Sequence, residues 1–111
     1  MARLPNSDRA VLDLRKIEDY CLSPVHPRGR HAARVFRQAL GIDRTNAKWL
    51  REALLATLPR GEAIQIAIDG LGSRWRVDMP IERHGHRVMV RTIWIVRAGE
   101  DMPRFVTCWV L

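Results

Sequence analysis

No stretch of the 111-residue chain stays apolar for the roughly 18 residues of a membrane span, and its start lacks a signal-peptide-like apolar core. That predicts a cytoplasmic domain with no membrane partner, although an effector domain cut from a larger secreted protein would read the same way. Lysine is almost missing: of 19 basic residues only Lys16 and Lys48 are lysine. Cysteine is scarce too. Cys21 and Cys108 stand far apart in apolar patterns, which favours buried free thiols over a disulfide. There is no nucleophile elbow, Walker loop, glycine-rich dinucleotide fingerprint or C-x-x-C pair. Most hydrolase, nucleotide-binding and redox readings go with them. The adjacent acids Glu18/Asp19 and Glu100/Asp101 read as solubilising charges, and no repeat or low-complexity tract breaks the chain.

What is present is an ordinary folded composition, 47% apolar and 28% charged, which predicts one domain spanning 1–111. A net charge of +7 and a pI near 10.9 suit an anionic partner, either nucleic acid or an acidic protein that masks the same surface. Arginine suits bidentate phosphate binding, but a GC-rich coding bias would give the same excess.

The periodicity predicts an α+β fold: three N-terminal helices packed on one face of a four-stranded antiparallel meander. Residues 1–12 read as an extended arm, 13–58 as the helical part and 62–111 as the sheet. Asp13 caps a helix over 14–22 with Leu14, Ile17 and Cys21 in one stripe, and Pro24 and Pro27 end it. A second helix over 30–40 buries Ala32, Val35, Phe36, Ala39 and Leu40, with Arg30, Arg34 and Arg37 opposite and Gly41 at its end. A third, over 45–58, starts near Asp43 or Thr45 and buries Ala47, Leu50, Ala53, Leu54 and Leu58. Alternation then places Ile64, Ile66, Ile68, Trp75, Val77, Met79, Val88 and Val90 on the helix side, with Gln65, Arg74, Arg76, Arg87 and Arg91 on the other. A sheet edge left open would suit a homodimer.

Three constellations could carry chemistry. The first is His26-Pro27-Arg28-Gly29-Arg30-His31-Ala32-Ala33-Arg34, where a turn becomes a helix whose N-terminal N–H groups attract phosphate. His31 and Arg34, at i and i+3, can reach the same anion, and an imidazole is suited to moving a proton at a ribose 2′-OH. The plain alternative is a solvated basic helix face. The second, His84-Gly85-His86, offers two ligands, which do not make a metal site, and reads as a hairpin tip; no metal or cofactor is expected. The third joins Arg91, Thr92 and Trp94 to Arg104, Thr107 and Trp109 across two neighbouring strands, enough to hold a phosphate and stack a base. Its alternative is that Thr92 and the tryptophans are core.

Two segments carry a resemblance. Leu4-Pro5-Asn6, Arg15-Lys16-Ile17, Tyr20, Leu22 and His26 to Phe36 resemble the head pattern KLxxYxL…HPxGxHKAxxF of a bacterial family of small domains of unknown function. Thr92 to Val96, Gly99-Glu100 and Pro103 to Thr107 resemble its tail, TxWIVxxGExxPRxVT. The resemblance implies domains that stand alone or end polymorphic-toxin-like proteins, beside a small acidic antitoxin or immunity protein. It also implies, by analogy, the barnase–EndoU–colicin–RelE ribonuclease fold. The expected activity is a metal-independent endoribonuclease. His31 or His26 would be base or acid, Arg34 the charge stabiliser, and Thr92 or Thr107 the phosphate orienter. Arg28, Arg30, Arg74, Arg76, Arg91 and Arg104 would hold RNA. A non-catalytic RNA-binding module and a partner-binding domain stay open. The family's lysine after the histidine is Ala32 here.

Overall fold

Asp13 starts the first helix by accepting from the Arg15 N–H at 3.0 Å. α1 (Leu14–Lys16) widens at once into a π turn, Ile17–Cys21, which the Leu22 N–H closes onto Ile17 O. The widening sends both Ile17 and Cys21 into the core. The computed structural model describes residues 2–111, and Met1 of the expected arm lies outside them.

α2 (Arg30–Leu40) has the expected bounds and ends on Gly41, whose positive φ of 66° places its N–H on Arg37 O. Its buried stripe is turned slightly from the expected one. Ala33, Phe36 and Leu40 are buried, while Ala32, Val35 and Ala39 are half-buried. α3 (Ala47–Thr57) follows a single 3₁₀ turn, Arg44–Asn46, opened by a reciprocal cap between Asp43 and Asn46. Ala47, Leu50 and Leu54 are its buried side chains, with Ala53 at their margin, and Leu58 is buried at the start of the 3₁₀ turn that follows, Leu58–Arg60.

The four strands are β1 (Glu62–Asp69), β2 (Gly72–Arg83), β3 (His86–Arg97) and β4 (Arg104–Val110), antiparallel in chain order. The fold is thus α+β, with the helices before the strands. Val77, Met79 and Ile81 of β2, Val90 and Trp94 of β3, and Phe105 and Cys108 of β4 share one core with Phe36, Leu40, Leu50 and Leu54 of the helices. Arg74, Arg76, Asp78, Arg91, Ile93 and Ile95 have the opposite parity and stay half-exposed.

β1 corrects the alternation. Ile64, Ile66 and Ile68 are 45%, 47% and 74% exposed, and Ala63 is the buried residue of the strand. The register slips between Gln65 and Ala67, leaving Ile66 in a bulge. Before the bulge, Ile64 sits beside Arg76 on the outer parity and Gln65 faces Trp75 on the inner one. After it the faces are exchanged, with Ala67 beside Arg74 on the outer parity and Ile68 opposite Ser73 on the inner one, a reversal that alternation alone cannot reveal. Trp75 and Val88 are half-buried rather than core.

The arm is not simply extended. It makes a 3₁₀ turn, Ser7–Arg9, and Val11 then runs parallel to the start of β4, exchanging hydrogen bonds with Pro103 and Phe105. Lys16 donates to Phe105 O at 2.8 Å on the same edge. Among the described residues no helix is long and apolar enough to cross a membrane.

The tightest joint lies between the first two helices. A Cβ added at Gly29 would lie 2.0 Å from the carbonyl oxygen of Tyr20, so the two backbones are in direct contact. Gly29→Ala is expected to cost about 1–3 kcal/mol, read as a lower urea midpoint. Gly70→Ala, with open space around it, should leave the midpoint unchanged.

Candidate functional site

The turn before α2 is held by two side-chain acceptors. Ser23 Oγ accepts from the N–H groups of Val25 (3.4 Å) and His26 (3.2 Å). His26 Nδ1 accepts from those of Arg28 (3.0 Å) and Gly29 (3.1 Å). An imidazole nitrogen that accepts carries no proton, so Nδ1 is taken up by the two backbone donors. The ring also packs against Tyr20, with centroids 4.5 Å apart. His26 is therefore a cap that satisfies backbone donors at a helix mouth, not a free catalytic base as expected.

His31 is different. It is exposed on the first turn of α2, and its Nδ1 lies 3.3 Å from Arg34 Nη2. A guanidinium can only donate, so Nδ1 is the acceptor of that bond. His31 stands between two hollows. One, of about 300 Å³, is lined by Tyr20, Arg28, His31 and Ala32 on one side and by Thr107 and Trp109 of β4 on the other. The larger, of about 1020 Å³, runs along α2 past Arg30, Arg34 and Arg37 to Asp43, Arg44 and Thr45.

The arginines fall into two groups. Arg28, Arg30, Arg34 and Arg37 have no carboxylate within 4.0 Å among the described residues. Three of the sheet arginines expected to hold RNA are already paired. Arg74 meets Asp69 at 2.8 Å, Arg91 grips Asp78 through two bonds of 2.9 Å, and Arg104 grips Glu100 at 3.1 and 3.0 Å. Such pairs, forked at Arg91 and Arg104, hold the guanidinium in place and neutralise it, so a phosphate would have to displace a carboxylate to reach it. Arg76 has no such partner, but it lies on the sheet beside Ile64 and Ile93, apart from both hollows.

Thr92 is 0% exposed; it donates to Val77 O at 2.7 Å and accepts from Trp94 Nε1 at 2.8 Å. Its hydroxyl serves the buried indole and cannot meet a substrate, which removes it from the expected catalytic set. Thr107 is half-buried at the edge of the smaller hollow, with Oγ1 3.8 Å from Cys21 Sγ. Cys21 and Cys108 are both buried and free, as expected, yet they are neighbours. The Cys108 thiol donating toward it holds Cys21 down despite burial, with help from Thr107, while Cys21 and burial push Cys108 up. His84 and His86 are exposed at the β2–β3 turn. Tyr20 and Arg37 went unassigned in the sequence reading. Arg37 was legible as the i+7 neighbour of Arg30, whereas only the fold reveals Tyr20's place beside β4.

Two expectations follow. His26→Ala should lower stability by about 1 kcal/mol through lost capping, while His31→Ala should stay within about 0.5 kcal/mol of the parent in urea unfolding. Arg91 holds the Asp78 carboxyl below its ordinary 3.8, Arg74 does so for Asp69, and Arg104 holds Glu100 below 4.5. Because these values are depressed in the fold, the stability they contribute is complete above the ordinary values and is lost as pH falls through the lower ones. Urea midpoints should hold from about pH 7 to about pH 5 and fall below about pH 4. Removing the pair with Asp78→Asn and Arg91→Gln should make that acid loss smaller.

No curated protein and no solved structure matches the chain. One family model does, over residues 3–111, and is described as a domain of unknown function, DUF6883. With nearly every residue inside that match, the chain belongs to the DUF6883 family.

Proposed function

We propose that this domain is a metal-independent endoribonuclease with His31 as its proton-transfer group. The observation that carries the proposal is the placement of His31: exposed, bonded to Arg34, and shared by two hollows beside arginines that hold no carboxylate. An entering phosphodiester would draw Arg34 onto its oxygens, since a charged acceptor outcompetes a neutral imidazole. Nδ1 of His31 is then free to take the proton of the ribose 2′-OH. The 2′-oxygen attacks phosphorus, the bond to the 5′-oxygen breaks, and that oxygen leaves with a proton delivered through solvent. The product is a 2′,3′-cyclic phosphate. Arg28, Arg30 and Arg34 would balance the charge on the phosphorane, the Thr107 hydroxyl would donate to it, and Trp109 would stack a base.

This reading takes the helices to cover one face of the sheet, so that the α2 mouth opens past the β4 edge. It also takes the toxin setting from the resemblance: an acidic antitoxin or immunity protein would cover the same free arginines. With the β4 edge partly occupied by Val11 and Lys16, a second copy would pair along β1.

One observation favours a second reading, an RNA-binding module without chemistry. Transphosphorylation uses a base and an acid, and His26 is committed to the backbone, leaving one free histidine at the helix mouth. The two readings separate on total bacterial RNA incubated in EDTA. The nuclease reading expects cyclic-phosphate ends from the parent chain and at least about a hundredfold slower cleavage by His31→Ala with unchanged circular dichroism. No cleavage by the parent, or equal cleavage by the variant, would sink it.

A further inference from the structure

We propose that the long groove beside α2 is a track for single-stranded RNA, in which Arg30, Arg34 and Arg37 each hold one backbone phosphate. This inference rests on the reading of RNA as the ligand, but not on cleavage. Its first ground is spacing. Positions 30, 34 and 37 rise about 6 Å and then about 4.5 Å along one helix face, so the three guanidiniums form a row about 10 Å long. Its second ground is charge. All three are exposed, and none meets a carboxylate within 4.0 Å among the described residues, whereas Arg74, Arg91 and Arg104 are each paired with one, the last two through two bonds. The α2 row is therefore not neutralised and has positive charge to give.

The third ground is the lining of the groove. Leu22, Pro24, Pro27 and Ile42 supply an apolar floor beneath the guanidinium rim. A floor of this kind accepts the face of an unstacked base, which a single strand offers and a duplex hides. The acids near the far wall are held by local partners, and Arg37 acts on Asp43 only from beyond 4.0 Å. Arg44 is fixed there by Asp19 at 2.7 Å, with Glu18 at 3.9 Å. Asp43, the carboxylate in the lining, is turned onto the Thr45 N–H and hydroxyl as a helix cap. His31 lies on the first turn of α2 next to Arg30 and lines both hollows, so a strand held by the row passes His31 on its way into the smaller one.

The test is a salt titration of binding to a fluorescent 2′-O-methyl oligouridine 8-mer, in which the blocked 2′ oxygen prevents cleavage. Three phosphate contacts on a single strand give a slope of log K against log salt near −2, at about −0.7 per contact. Arg30→Gln, Arg34→Gln and Arg37→Gln should each make it shallower by about 0.7, and the triple variant nearly flat. Removing the Arg104–Glu100 pair with Arg104→Gln and Glu100→Gln, which keeps the net charge, should leave the slope unchanged. A duplex 2′-O-methyl RNA should bind at least tenfold more weakly than the single strand. A slope untouched by the triple variant, an equal loss from the Arg104–Glu100 removal, or equal binding of the duplex overturns the track. The two proposals fail separately. Arginine-dependent slopes without cleavage of natural RNA keep the track and discard the nuclease, while His31-dependent cleavage with arginine-independent slopes does the reverse.

Discussion

Two backbone N–H groups pointing at one imidazole nitrogen organise the candidate site of this molecule. Residues 28 and 29 enter α2 with donors that the helix itself cannot satisfy, and His26 Nδ1 takes both. The ring stays in place because it rests on Tyr20, whose carbonyl oxygen lies against the backbone of Gly29. No other residue type would fit at 29, where even a methyl group would collide with that oxygen. The π turn sets the other half of the joint. By widening the chain at Ile17–Cys21 it brings Tyr20 beside the turn and Cys21 beside Thr107 of β4. Helix start, strand edge and the smaller hollow are thus consequences of one packed turn.

Charge is divided as sharply as packing. The excess of arginine would give a diffuse basic surface if all of it were free, and the sheet would then be the natural place for a polyanion. Carboxylates placed across the strand or one turn away prevent this. Asp78 opposes Arg91 in the β2–β3 register, and Glu100 lies four residues before Arg104. Forked pairing fixes these guanidiniums and leaves that part of the sheet close to neutral. α2 has no acid along its length, so Arg28, Arg30, Arg34 and Arg37 leave unneutralised charge where the helix begins and along one face. An exposed histidine bonded to an unpaired arginine sits in that field.

Features that depend on neighbours in sequence were legible before the fold was known. The bounds of α2, its end at Gly41, the caps at Asp13 and Asp43 and the four strands all follow from periodicity and short-range hydrogen bonding. What escaped depends on long-range or single-residue events. The bulge at Ile66 reverses the faces of β1 without leaving a trace in the alternation of isoleucines. The hydroxyl of Thr92 looked available until Trp94 was seen to need an acceptor inside the core. His26 and His31 are chemically the same residue five positions apart. Only the direction of the turn makes one a cap and leaves the other free. The arginine pairs were unreadable for a similar reason, since Asp78 and Arg91 meet through a hairpin register rather than a helical spacing.

The departure at Ala32 now has a place in the molecule. Ala32 is half-buried in the lining of the smaller hollow, facing Thr107 and Trp109. A lysine there, as in the family pattern that the chain resembles, would reach its ammonium into that hollow from the helix side. Here the nearest cation on the same wall is Arg28, which approaches from the turn, and Arg34 stands one helical turn beyond His31. A guanidinium differs from an ammonium in what it can do at that position. It remains protonated throughout the working pH range, so it can hold and neutralise a phosphate but cannot accept or release a proton. On the proposed nuclease reading, any proton moved between the two hollows would fall to His31, and the surrounding arginines would set the position and charge of the phosphate.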